Sequence, residues 1–290
     1  MAAPAQALFD DLPPNPRALA LGEALTSFVD DAWAYYYNPA MLPWLEELYG
    51  GVSTVQPNGV DFNRQTSLAV ASRLEGRAGG VAFGWRNYVV QNGDTDLLRE
   101  NTLSIAHGFM LFRDASTAAS FGWTLNFYHA DLAPTVGASG DGSDGIDPGA
   151  AWAVGIDIGG VVSVYDRTRV GFFTRNLNNP TIGDDEEELQ QQLGVGISYR
   201  PYAGVTTALD VRNGLGDVFR VHGGLEFEVV PQLELRFGLE TEPGRVTGGF
   251  AVNLSRVSLD YGFGSGGGVL DTSHQFGVNV HFDVFKEGSR

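Results

Sequence analysis

Residues 233–240 read Leu-Glu-Leu-Arg-Phe-Gly-Leu-Glu. Leu233, Leu235, Phe237 and Leu239 fall on one side of an extended chain, and Glu234, Arg236, Gly238 and Glu240 on the other. That period of two marks a strand with two unlike faces. The same division recurs nearby. Val205, Thr207, Leu209 and Val211 oppose Asp210 and Arg212, while Phe276, Val278, Val280, Phe282 and Val284 oppose Asn279, His281 and Asp283.

Extending outward from this stretch gives fourteen runs, over 49–55, 63–74, 80–90, 101–112, 118–130, 151–164, 169–177, 191–199, 205–212, 219–229, 233–240, 246–254, 257–263 and 273–284. The segments between them alternate in length. Short turns fall around Gly76, Asp114, Asp166, Tyr202, Pro231 and Ser255. Every long loop, including 91–97 and those around Gly140, Asp185 and Gly267, falls on the other side. An up-and-down membrane barrel requires this asymmetry, whereas a Greek-key sandwich scatters its loop lengths. Alternation by itself leaves open which face points inward, because a soluble sheet buries its apolar face and a membrane barrel exposes it. Strand number, loop asymmetry and aromatics near strand ends (Tyr88, Tyr128, Tyr165, Tyr199, Tyr261, Phe263) favour the apolar face outward, with those rings as interfacial girdles.

The composition agrees. Apolar residues are 43%, and no run approaches the eighteen needed for a membrane helix, a test that a barrel escapes. Thirty-nine glycines are a heavy load, many of them inside the alternating runs, where close approach or curvature calls for them. Cysteine is absent, so there is no disulfide framework or thiolate metal site. A formal charge of −17 argues against a nucleic-acid partner.

The chain before residue 49 does not alternate. Residues 17–29 read as a short helix or turn-rich segment, and 30–42, DDAWAYYYNPAML, are too aromatic for a loose tail. The expectation is a plug over 8–48 enclosed by a barrel over 49–285, with a tail at 286–290. Residues 1–7 end in Ala5-Gln6-Ala7, a small-x-small pattern like a signal-peptidase site. The charged and apolar regions that should precede it are missing, which leaves a signal-peptide remnant and a chance match both open.

The plug run PRALALGEALTSFVDDAWAYYYNPAML resembles the opening of the long-chain fatty-acid transporter (FadL) superfamily, especially its shorter PorV-like relatives. Arg17, Ala18, Leu19, Gly22, Asp30, Asp31, Asn38, Pro39 and Ala40 carry the resemblance. The hairpins TTALDVRNG, LEFEVVPQLELRFGLE, VSLDYGFG and DTSHQFGVNVHF are similar in style, and 275–282 looks like an outer-membrane assembly signal. Val280 replaces the usual aromatic there, and the chain continues to Arg290. The resemblance implies an all-β, fourteen-stranded, antiparallel outer-membrane barrel of a Gram-negative-type bacterium, with an N-terminal segment inside. It also implies passive uptake of small hydrophobic molecules or, alternatively, a PorV-like scaffold for a secretion or surface-anchoring complex. The partners to expect are outer-membrane lipid and either a hydrophobic small molecule or a secretion-complex protein; no cofactor is expected.

Two sets of residues are candidates. Trp33, Tyr35, Tyr36, Tyr37, Asn38, Pro39 and Ala40 either line an apolar ligand pocket or pack the plug against the wall. Asp157, Arg175, Asp210, Arg212, Glu226, Glu228, Glu234, Arg236, Asp260, His281 and Asp283 share the polar face, as a selectivity lining or as ion pairs filling the lumen. Asp141, Asp144 and Asp147, and the run 184–188, offer oxygens to calcium but lack EF-hand spacing and read first as solvated loops, so no metal ligand is assigned. His107, His129, His222, His274 and His281 stand in no nucleophile motif, and no catalytic residue is assigned.

Overall fold

The computed structural model describes residues 8–9, 11–75, 78–93, 95–134, 137, 144–183, 186–214, 218–242, 244–266 and 272–282. Fourteen strands close into one antiparallel barrel. They are β1 (Leu48–Gln56), β2 (Asn63–Arg73), β3 (Gly80–Asn92), β4 (Thr95–Arg113), β5 (Thr117–Leu132), β6 (Ala150–Val164), β7 (Thr168–Arg175), β10 (Gln192–Tyr202), β11 (Val205–Gly214), β12 (Phe219–Val230), β13 (Leu233–Glu240), β14 (Arg245–Leu254), β15 (Val257–Gly264) and β16 (Ser273–Phe282). Each pairs with its neighbours in the chain, and β16 pairs with β1 to close the ring. Between β7 and β10 sits a separate two-stranded ribbon, β8 (Thr181–Ile182) and β9 (Glu187–Glu188).

All fourteen runs read from the sequence are strands. The loop expected over 91–97 is the exception in detail. β3 continues to Asn92 and β4 begins at Thr95, with Asn92 paired to Thr95 across the turn. Backbone pairing therefore outlasts the hydrophobic alternation there, and only the alternation was legible.

The faces resolve the open question of inside and outside. Phe237, Leu239, Phe276 and Leu209 are exposed on the outer surface, whereas Arg236, Asp210 and Asp260 are buried. Apolar side chains out and polar side chains in is the arrangement of a membrane barrel. Two of the expected girdle rings are corrected. Tyr128 is buried and donates to Asn176 Oδ1, and Tyr88 lies opposite the buried Gln65, so both point inward.

The N-terminal segment holds the helices α1 (Pro16–Ala20) and α2 (Ala34–Tyr37) and the 3-10 turn Pro39–Trp44. Asn15 caps α1 by accepting from the Ala18 N–H, and Pro16 opens it with φ already set for a helix. Residues 13–29 and 32–43 are all buried. Ser53 of β1 donates to the Pro14 carbonyl, Ser120 and Thr124 of β5 to those of Ala40 and Tyr35, and Thr247 of β14 to that of Ala20. Counting such hydrogen bonds and packed contacts, the segment touches every strand of the barrel. At this burial the segment contacts the whole ring.

Candidate functional site

Where the segment meets the wall, four strands supply a rung of glycines. Gly80, Gly108, Gly122 and Gly159 are register partners across β3, β4, β5 and β6. A Cβ on any of them would collide with the segment: Leu42 at Gly80, Pro39 at Gly108 and Gly122, and the Asn38 amide at Gly159. The Asn38-Pro39-Ala40 step thus lies in a trough that only glycine leaves open.

Asn38 fastens it. Its Nδ2 donates to the carbonyls of Thr26 at 2.7 Å, Phe172 at 3.2 Å and Gly160 at 3.3 Å, while Oδ1 accepts from the Ala40 N–H at 3.1 Å. One side chain therefore ties together two parts of the segment and two strands.

Two of the aromatics, Tyr36 and Tyr37, are met by arginines from the wall. The Tyr36 ring has Arg175 at 4.2 Å and Arg86 at 4.6 Å from its centroid, and Arg212 lies 5.6 Å from that of Tyr37. Trp33 Nε1 donates to Asn279 Oδ1 at 3.3 Å. Trp33, Tyr35, Tyr36 and Tyr37 are 0–6% exposed. All four gain area burial, and Tyr36 and Tyr37 add a desolvated cation–π contact.

The charged candidates converge as well. Arg17 pairs with Asp30 at 2.7 Å, Asp31 at 2.8 Å and Glu226 at 2.8 Å. Arg236 pairs with Glu226 at 2.9 Å, Glu234 at 2.8 Å and Asp260 at 2.5 Å. Glu226 thereby bridges the segment's arginine to that of β13. Burial alone would raise the Asp30 carboxyl, but Arg17 and Arg200 beside it bring it down to about 2. Near the long-loop end, Arg175 pairs with Asp11, and Arg212 lies 3.3 Å from Glu23. Burial, reinforced by Asp11, pushes the Glu23 carboxyl up to about 8 despite Arg212. Asp210 accepts from the Thr26 N–H, and Asp157 from the Asn176 N–H and from Asn126 Nδ2.

Glu228 departs from this set. It is exposed at the end of β12, on the rim of a cavity of about 360 Å³ shared with Arg167, Arg200 and Glu234. His281 lies 3.9 Å from Glu47 at the same end. Asp283, like Asp141, Asp184 and Asp185, is outside the described residues; Asp147 caps the Gly149 N–H. A larger cavity of about 430 Å³ opens at the short-turn end, lined by Arg17, Asp30, Trp44, Arg169, Arg200 and Arg236 among others.

No protein-family model matches the sequence, and no curated protein is significantly similar to it. Solved structures do match over nearly the full length. The toluene transporter TbuX of Ralstonia pickettii aligns at a TM-score of 0.61 with 15% identity, covering 92% of this chain and 98% of that one. The toluene transporter TodX of Pseudomonas putida aligns at 0.60 with 15% identity, covering 93% and 98%. A FadL homologue of Pseudomonas aeruginosa aligns at 0.60 with 10% identity, covering 94% and 99%. This chain has the FadL fold. On that fold the sequence missed the glycine rung and the arginine–aromatic pairs. The glycines were visible within strands, but their alignment across four strands needed the register.

Proposed function

We propose that the protein is an outer-membrane barrel of a Gram-negative-type bacterium that takes up small hydrophobic molecules passively, with residues 8–48 as a hatch in a barrel of 49–285. The observation that carries this reading is the lumen. The buried N-terminal segment of a FadL-fold barrel meets the inner face through hydrogen bonds, ion pairs and cation–π contacts, alongside an apolar cluster in which Leu21, Leu25, Phe28, Met41 and Leu42 pack with small wall residues such as Ala69 and Ala106. The polar part of these contacts exchanges for water at modest net cost, and the wall's own strand pairing does not depend on the segment, which supports a segment that moves while the wall stays folded. The structural neighbours described as toluene transporters and hydrocarbon channels supply the substrate class. Outer-membrane lipid would cover the apolar outer face.

The test is uptake into liposomes carrying the purified protein, with toluene and a medium-chain fatty acid as probes. Uptake above that of protein-free liposomes is expected for at least one probe. The close packing of Trp33 and the three tyrosines favours a second reading, a scaffold of the PorV type for a secretion or surface-anchoring complex. Liposomes that admit neither probe, even with the segment loosened by Asn38→Ala, would favour the scaffold.

A further inference from the structure

At the short-turn end one rung of the sheet runs Arg113, Ala118, Ser163, Arg169 and Ser198 across β4, β5, β6, β7 and β10. Ala118, Ser163 and Ser198 are small and buried, which forms a shelf on the inner face beneath the two arginines. Arg200 stands two residues beyond Ser198 on the same strand and face. Trp44 of the N-terminal segment lies over the shelf, with the guanidinium of Arg113 4.8 Å and that of Arg169 5.0 Å from its ring.

The polar groups of this shelf are short of acceptors. Ser163 is 1% exposed, and its Oγ has no hydrogen-bond partner among the described residues. Arg169 Nη1 is buried and likewise without a hydrogen-bond partner among the described residues. Carboxylates do line the adjoining cavity of about 430 Å³, but arginines already hold most of them. Arg17 takes Asp30, Asp31 and Glu226, Arg236 takes Glu226, Glu234 and Asp260, and Arg200 takes Asp30. Among the described residues, Glu46 is the remaining acid on that wall and is exposed. Arg169 thus offers donors in a fixed fork, and the hydroxyl across from it offers one more. A buried donor left without an acceptor is costly, and a guanidinium fork matches an oxyanion in shape and charge.

We propose that the shelf binds an oxyanion head group, a carboxylate or a phosphate, at the short-turn mouth of the barrel. Arg169 is the principal ligand, Ser163 the second donor, and Arg113 and Arg200 supply the positive field. The site stands whether or not the barrel transports.

Calorimetric titration of the full-length protein in uncharged detergent tests it, with inorganic phosphate, octanoate and octanol as probes. Saturable binding of an anionic probe is expected, weakened about tenfold or more by Arg169→Gln and by added salt. Arg169→Lys, which keeps the charge but not the fork, should fall between. Ser163→Ala is the milder variant should the arginine variants fail to fold, and it should weaken binding severalfold. Binding of phosphate alone would mark a free-ion site, and of octanoate alone an amphiphile head-group site. Equal binding of octanol and octanoate, indifference to every variant, or no binding of either anion would overturn the proposal.

Discussion

At the scale of single residues, Asn38 carries the most. Its side chain makes four hydrogen bonds within a fully buried site. Removing it takes a buried partner from the Ala40 N–H and the Thr26 carbonyl and unties the segment from β6 and β7, a loss of about 2–4 kcal/mol in its docking. Asn38→Ala should therefore speed amide hydrogen exchange across residues 26–40 by about 30- to 1000-fold, with the strand amides unchanged. Unaltered exchange in the segment would show that Asn38 is not its fastening. Asn38 is extended, as a residue before proline should be, and caps the 3-10 turn that follows. Its reach to Gly160 and Phe172, more than a hundred residues away, depends on strand pairing that no local pattern encodes. The same holds for Arg175 over Tyr36 and Arg236 beside Asp260.

Among the elements, the strands were legible because a membrane barrel writes itself at every second residue. The outer face must be apolar to meet lipid, so Leu235, Phe237 and Leu239 could be read without neighbours. That constraint lapses beyond the bilayer. Residues 95–100, Thr-Asp-Leu-Leu-Arg-Glu, pair as strand in β4 but lack the alternation, which starts only at Asn101. Inward aromatics misled for a related reason. Tyr128 near a strand end looked like a girdle ring, yet it packs against Phe9 of the segment at 4.9 Å between ring centroids. The glycine rung yields a prediction for elements. Gly122→Val places a branched side chain where Pro39 and Ala40 lie, and backbone on both sides cannot yield. The variant should keep its strands by circular dichroism and its heat-modifiable gel mobility while a protease gains access to the 26–44 region. Protection equal to that of the wild type would mean that the trough does not seat the segment.

For the whole molecule, the central claim is that the N-terminal segment fills the lumen and that its movement governs passage. The chain has no cysteine, so a single engineered pair can address this without side reactions. A Cβ at Gly224 of β12 lies 3.3 Å from the Ala24 Cβ of the segment, close to the separation a disulfide spans. The most direct measurement is toluene uptake by liposomes carrying the Ala24→Cys, Gly224→Cys variant, first oxidised and then reduced. The account predicts that the bond forms readily, that uptake falls about tenfold or more when the segment is locked to the wall, and that reductant restores it. Failure of the bond to form in folded protein would contradict the position of the segment. Equal uptake in the locked and free states would contradict its role as the hatch.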